Sequence, residues 1–512
     1  MVARLALVLL SATLQALVFP PWGWSALAWV ALVPLFWALR GLTPLQGALA
    51  GFVWGTVAVW GIGYWVPIAF ATYYEQPWWF GLLFALAASL VFAGTYGAGF
   101  GACAAWCREL VGVAARPFLF AALWVAWELM RARLLTGEPW ILFGYALMPQ
   151  IPVVQVADLG GVYALSFVLV VANCAIADLW GASPRGWDWF RRYGAVGVTL
   201  VGVLAYGYAR LSTAWPTAPA VPVTIVQGNN DVGHQWREEF YGEGLREYLS
   251  MSRDGVRENG SKLLVWPESS ITFFLAHEPS YQRAIALMLE ATDANLIVGG
   301  PHYEDHEDGQ EPHFFNSAFY MTSDSRIASR YDKTHLLPFA EYFPLRTIEF
   351  LRRRFERVRF FTPGEPGDPL STALGNVATL ICFEGIFPEI VRAQTAREAR
   401  LLVNLSNDTW LGPRAGPAQH LSMVALRAVE NRLWIVRATT SGISAIIDPC
   451  GRVVARSTAN VPEVLNGTVV PMAVATVYKR FGDVFAYGCL IASVLILVVL
   501  RRRRVVGGGS DR

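Results

Sequence analysis

At 512 residues, with 54% hydrophobic and only 16% charged residues, the chain is too apolar for an ordinary soluble enzyme and long enough for several domains, so part of it is expected in a membrane. A formal net charge of +2 gives no basis for a nucleic-acid partner. Six cysteines with no C-x-x-C pair and no Cys/His cluster give no basis for a metal site, and neither a metal nor any other cofactor is expected.

Residues 1–212 carry seven apolar segments near the roughly 20 residues a spanning helix needs, separated by short Pro, Gly or charged breaks. They run about Leu5–Phe19, Ser25–Leu39, Leu45–Val66, Trp79–Trp106, Phe118–Met130, Tyr163–Trp180 and Ala195–Leu211. Arg4 ahead of an apolar core resembles a signal peptide, but "VFPPWGWS" offers no small-residue cleavage site, so an uncleaved first span is expected. Trp22, Trp24, Trp65, Trp78, Trp79 and Trp140 fall near span ends, where amphipathic rings prefer the headgroup level. "VPIAFATYYEQPWW" is apolar, aromatic and too long for a tight turn, and reads as an arm lying in the interface.

Over residues 219–475 short β-branched runs such as "VPVTIVQGN", "KLLVWPES", "ANLIVGGP", "NVATLICFEG" and "ARLLVNLSN" alternate with polar helical patterns, which predicts an α/β domain. Residues 485–500 form an eighth apolar run, and 501–512 a tail that begins "RRRR". With the N-terminus inside, the cytoplasmic loops hold Arg4, Arg40, Arg108, Arg116, Arg185, Arg191, Arg192 and Arg501 to Arg504; Arg131 and Arg133 are the exception. That topology places residues 219–475 outside the cytoplasm.

Three strand ends in the polar domain finish on reactive residue types. "LLVWPESS" delivers Glu268, "RYDKTHLLPFAEYFP" delivers Lys333 and Glu341, and "ATLICFEG" delivers Cys382 and Glu384. A thiol needs a proton acceptor or a nearby cation to become a nucleophile, and a fixed cation also stabilises an acyl-transfer oxyanion. A cysteine alone in an apolar strand is more often inert core. Arg427 and Glu430, three apart, read as an internal ion pair, while Asn407, Asp408 and Trp410 either shape a pocket or close a turn. His335 and His420 receive no role.

The Glu, Lys, Cys order resembles the carbon-nitrogen hydrolase (nitrilase) superfamily, from "VTIVQGN" to "HLSMVALRAVENRLWIVRATTSGISAIIDPCGRV". That resemblance implies an αββα sandwich. Together with eight spans, and with "FPPWGWSALAWVALVPL", "ALWVAWELMRARLLTGEPW", "VQVADLGGVYALSF", "QGNNDVGHQW", "KTHLLPFAEYFPL" and "SNDTWLGPRAGPAQH", the chain is similar over nearly its whole length to the apolipoprotein N-acyltransferases.

The resemblance implies Cys382 as nucleophile, Glu268 as general base and Lys333 at the oxyanion, with Glu341 and Glu384 supporting and Trp236 in "GHQW" near substrate. Phe383 stands where the family commonly has tyrosine. It further implies a monomer in the bacterial inner membrane with its catalytic domain in the periplasm. That enzyme passes an acyl chain from a phospholipid, chiefly phosphatidylethanolamine, through a Cys thioester to the diacylglyceryl-cysteine of an apolipoprotein. A membrane-tethered amidase or nitrile hydrolase, and a transporter or scaffold using Glu128, Asp158 and Asp178, remain as alternatives.

Overall fold

The computed structural model describes residues 1–180, 187–216, 218–230, 238–305, 312–344 and 360–507. The chain divides into two compact units, one of Met1–Pro67, Trp78–Thr213 and Phe481–Arg512, the other of Ile68–Pro77 and Ala214–Arg480.

In the first unit, five helices are long and apolar enough to cross a membrane: Pro44–Ile62, Trp78–Cys107, Ala157–Leu179, Trp187–Leu211 and Val484–Arg503. The remaining three of the eight expected spans fall short of that standard, each for a visible reason. Helix Val2–Leu17 has 16 residues, about 24 Å at 1.5 Å per residue against a hydrocarbon core of about 30 Å. The run Ser25–Leu39 is broken into a 3-10 turn, Ser25–Trp29, and a helix, Val33–Ala38, with Pro34 in its first turn. Helix Arg116–Arg133 is long enough, but it carries Arg116, Glu128, Arg131 and Arg133.

Glycines set a close helix contact in this unit. Gly47, Gly51 and Gly55, spaced by four along Pro44–Ile62, face Gly97, Gly101 and the Ala93 carbonyl of the Trp78–Cys107 helix. A Cβ on Gly51 would lie 2.0 Å from the Gly97 carbonyl oxygen, and one on Gly101 would lie 2.2 Å from that of Gly47. Small residues at this spacing let backbones approach where lipid supplies no hydrophobic drive. The polar groups of the unit are matched as well. Asp178 accepts from Arg108 at 2.5 Å and Arg116 at 2.9 Å, and Asp158 from Tyr206 at 2.7 Å and Arg210 at 3.0 Å. Glu128 accepts the Phe143 amide at 2.7 Å. These three carboxylates, considered as transport charges, are therefore engaged in holding the unit together.

The second unit contains two six-stranded sheets. In the first, β1 (Val221–Gln227), β2 (Leu263–Val265) and β3 (Asn295–Glu304) run parallel, continued by antiparallel β4 (His313–Met321) and β5 (Ile327–Asp332). In the second, β7 (Gly375–Ile381), β8 (Leu401–Ser406) and β9 (Ile435–Thr439) run parallel, flanked by β6 (Leu370–Thr372) on one side and β10 (Ala445–Ile447) and β11 (Val453–Arg456) on the other. The last strand, β12 (Glu463–Val469), returns to pair antiparallel with β1.

One hydrophobic cluster joins Val223, Ile225, Val265 and Ile297 of the first sheet to Val377, Ile381, Val403 and Val436 of the second, so the sheets pack face to face. A second cluster fills the outer face of the first sheet beneath helices Glu238–Asn259 and Pro279–Thr292, built on Trp266, Leu249, Met288 and Val298. Helices Pro388–Thr395 and Ala415–Asn431 lie beside β7 and the turn that follows it. These layers form the nitrilase-like sandwich. Burial on both faces explains why the parallel strands read as continuous apolar runs.

The segment expected as an interfacial arm is divided. Residues Ile68–Pro77 belong to the second unit, where Tyr74 is buried and its hydroxyl donates to the Phe339 carbonyl at 3.3 Å. Replacing Gly51 by leucine forces apart the Gly51 and Gly97 backbones and should destabilise the first unit by about 1–3 kcal/mol, the usual cost of overpacking. Thermal unfolding of the full chain in detergent should show a lower midpoint for Gly51→Leu. Leu49→Ala, on the exposed face of the same helix, should leave the midpoint unchanged.

Candidate active site

Parallel strands of α/β sheets present their carboxyl ends as the natural place for a site, because loops there converge without side chains from the next turn intervening. Glu268 lies three residues beyond β2, Lys333 follows β5 directly, and Cys382 follows β7 directly. All three are buried, at 6%, 1% and 2% exposure, so their charges interact with little solvent screening. Gly299 on β3 makes room for the first of them: a Cβ there would lie 2.7 Å from the Cα of Glu268.

Lys333 Nζ lies 2.8 Å from Glu341 Oε2 and 2.9 Å from Glu341 Oε1, and 3.7 Å from Glu268 Oε1. Asn316 on β4 bridges the two carboxylates, its Nδ2 donating to Glu268 Oε1 at 2.8 Å and to Glu341 Oε1 at 2.7 Å. Backbone amides complete both groups. Asn407 N donates to Glu268 Oε2 at 2.7 Å, and Leu337 N to Glu341 Oε2 at 2.7 Å. The structure thus brings Glu268, Lys333 and Glu341 into one cluster.

Two carboxylates around one ammonium leave a surplus negative charge. Burial raises the Glu268 carboxyl above its ordinary value, and Glu341 adds to this against the opposing pull of Lys333. For Lys333 burial alone would lower the ammonium, but Glu341 and then Glu268 overcome it and hold it above its ordinary value. Burial pushes the Cys382 thiol up, Glu268 pushes it further, and Lys333 opposes both. A protonated thiol beside a carboxylate of raised proton affinity can exchange that proton without changing the charge of the site.

Cys382 has φ +52°, in the left-handed region that non-glycine residues avoid, at the junction of β7 and a 3-10 turn, Cys382–Ile386. Glu384 fixes that turn. Its Oε1 accepts from the Tyr331 hydroxyl at 2.9 Å, the Thr334 amide and hydroxyl at 2.8 and 2.9 Å and the His335 amide at 3.1 Å; its Oε2 accepts the Ile381 amide at 2.8 Å. This fully buried carboxylate therefore ties the Cys382 turn to the loop carrying Lys333. Phe383 packs its ring against Phe387 and His335, centroids 4.9 and 6.1 Å apart.

Behind the sulfur lies a second buried network that the sequence did not single out as a unit. Asp408 Oδ2 accepts from Arg437 at 2.7 Å, while Oδ1 accepts from Ser406 at 2.7 Å and lies 3.0 Å from His420 Nδ1. Arg437 also donates to Asn404, and the His420 ring reaches the backbone of Cys382. Burial would raise Asp408, but Arg437 and then His420 hold it well below the usual carboxylate range. Arg427 and Glu430 form the expected internal pair at 3.2 Å, fully buried. Asn407 closes a turn through Thr409, while its amide serves Glu268.

Trp236 lies outside the described residues. Asn316 is the site residue that sequence reasoning missed; its one signal was an Asn-Ser pair inside the apolar strand "HFFNSAFY". None of the six cysteines, all of them described, forms a disulfide.

Residues 223–479 match the carbon-nitrogen hydrolase family, and residues 11–175 match the apolipoprotein N-acyltransferase N-terminal domain. The apolipoprotein N-acyltransferase of Geobacter metallireducens is 36% identical over 504 residues, spanning 95% of this chain and 93% of that protein. The Nitrosomonas europaea enzyme of the same name is 32% identical over 478 residues, 90% of each. Among solved structures, Saccharomyces cerevisiae Nit3, a member of branch 10 of the nitrilase superfamily, aligns with 53% of this chain and 97% of its own at 17% identity and a TM-score of 0.40. On the identity and coverage of the two acyltransferases, the chain belongs to the apolipoprotein N-acyltransferase family.

Proposed function

We propose that the protein is the N-acyltransferase of lipoprotein maturation, moving an acyl chain from a phospholipid through a thioester on Cys382 to the α-amino group of an apolipoprotein's N-terminal diacylglyceryl-cysteine. The observation that carries this reading is the Glu268–Lys333–Glu341 cluster acting on a buried thiol, in a chain that also holds five helices apolar enough to cross a membrane. Glu268 takes the thiol proton as sulfur attacks the ester carbonyl. The Lys333 ammonium has three N–H bonds; Glu341 accepts at 2.9 Å while Glu268 lies 3.7 Å away, beyond hydrogen-bond reach, so donor capacity is left to serve the tetrahedral oxyanion.

Collapse of that intermediate expels the lysophospholipid alkoxide, which takes the proton back from Glu268. The acceptor amine then attacks the thioester, gives its proton to Glu268 and releases the thiolate, which is reprotonated. Glu341 holds Lys333 in place and charged; Glu384 holds the turn that presents the sulfur; Trp236 binds substrate. The eight apolar segments, with the inner membrane as location, the catalytic unit on the periplasmic side and phosphatidylethanolamine as donor to a monomer, complete the proposal. The arginine distribution supports that orientation.

An amidase using the same cluster on a small soluble substrate is the weaker reading, because it gives the apolar helices no purpose. Withdrawing an acyl chain into water costs about 0.8 kcal/mol per CH₂, which a membrane-held site avoids.

Mass spectrometry of the full chain incubated with phosphatidylethanolamine should show an acyl mass on Cys382, absent in Cys382→Ala and formed roughly 10²–10⁴-fold more slowly in Glu268→Gln. N-acylation of a diacylated lipopeptide by Cys382→Ala at the wild-type rate would overturn the thioester route.

A base must be ionised to work, so the raised proton affinity of Glu268 predicts that acylation fails as pH falls through its folded value. Asn316 donates to the ionised form, and its removal favours the protonated one. The acid limb of kcat/KM in Asn316→Ala should therefore move to higher pH; an unmoved limb would assign it to another group.

A further inference from the structure

At the opposite end of β7 from Cys382 the second unit holds a cleft of roughly 1020 Å³. Gly375, the first residue of β7, lies at its edge; seven residues at about 3.3 Å each put it some 23 Å from the nucleophile. Arg392, Arg400, Lys479 and Arg480 line the cleft, against one carboxylate, the exposed Glu398. Gly375 has φ +89°, and the stem of Arg400 crosses it, 3.1 Å from where a Cβ would be. Arg392 braces the opposite wall, donating from Nε to the Lys479 carbonyl and from its terminal nitrogen to the Arg480 carbonyl, both at 3.1 Å.

Three cations of this cleft are set apart from the ion pairs around it. Among the described residues no carboxylate pairs with Arg392, Arg400 or Lys479, whereas the neighbouring Arg397 does pair, with Asp368 at 2.8 Å. Lys479 is half-buried, and burial pushes its ammonium down with no nearby carboxylate to offset this. Like charges facing one cleft repel one another, and Arg392 and Lys479 are also partly buried, so an anion from outside would relieve both costs. Chain connectivity narrows the source. Lys479 stands five residues before Val484, the start of the last apolar helix, and so within about 18 Å of it.

We infer that this cleft binds the phosphate of an anionic phospholipid headgroup, at a site separate from the acyl-transfer centre, with Arg400 and Lys479 as its principal contacts and Arg392 holding the wall. The inference rests on the chain's being membrane-embedded and not on the chemistry of Cys382. Its effect is to seat the end of the catalytic unit against negatively charged lipid.

The chain's three lysines make the test direct: Lys262 is exposed beside Asp293, Lys333 is buried in the active site, and Lys479 lies in the cleft. The full chain is placed in nanodiscs of phosphatidylcholine alone, of phosphatidylcholine with phosphatidylglycerol, and of phosphatidylcholine with millimolar inorganic phosphate. Labelling of Lys479 by an uncharged amine reagent is then read by peptide mass spectrometry relative to Lys262. Phosphatidylglycerol should protect Lys479 about five-fold, the effect expected for one cation at an anionic surface.

Arg400→Gln should abolish that protection while leaving acylation of Cys382 in detergent unchanged. Equal Lys479 labelling in the two lipid compositions, or protection indifferent to Arg400→Gln, would overturn the site. Equal protection by inorganic phosphate would assign the cleft to a soluble anion and remove the lipid.

Discussion

The ammonium of Lys333 held between Glu268 and Glu341 is the interaction on which the catalytic unit depends. A lysine at 1% exposure is tolerated only when its charge is matched and its donors are used, and a second carboxylate overcompensates that charge. The excess is absorbed by neutral donors, Asn316 to both carboxylates and the amides of Asn407 and Leu337. Each comes from a different strand or loop. The cluster can therefore form only when the ends of β2, β5 and β8 meet the start of β4, which the antiparallel register of β4 with β3 and β5 and the missing Cβ of Gly299 allow.

The thiol sits where two such polar arrangements meet. On one side Glu384, with five donors, binds the Cys382 turn to the Lys333 loop. On the other, Asp408 and Arg437 hold His420 against the backbone of Cys382. A residue with φ +52° stores strain of order 1–3 kcal/mol, and it persists only where its surroundings over-determine it. Both networks supply that determination. They also explain why the turn tolerates Phe383: its ring packs on Phe387 and His335, contacts that need no hydroxyl.

Much of this was legible in the sequence, because Glu268, Lys333 and Cys382 each follow a β-branched run whose end is a predictable place. The pairing of distant polar residues was not. Glu384 draws donors from about fifty residues earlier, and Asp408, His420 and Arg437 meet only once β8, β9 and the helix Ala415–Asn431 are assembled. Periodicity carries no information about such contacts. The spans show the converse limit. Hydropathy marked eight apolar segments, but Pro34 interrupts one, four charges dilute another, and the first is short, so length and composition distinguish five.

The reaction proposed above requires a thioester to pass to an amine rather than to water, and a buried site with a surplus carboxylate bears on that choice. A lipoprotein α-amine has an ordinary pKa of about 7.7–8.0 and attacks only when neutral, so it must shed a proton on or before entering. A fully exposed carboxylate is a poor partner for that step, its proton affinity being too low. Burial and Glu341 raise that of Glu268, bringing acceptor and donor closer, while Lys333 limits the rise so that the carboxylate still ionises. The same burial that raises Glu268 admits little bulk water to compete at sulfur. Proton affinity and water exclusion thus have one physical origin, the closure of the two sheets over the Lys333 cluster.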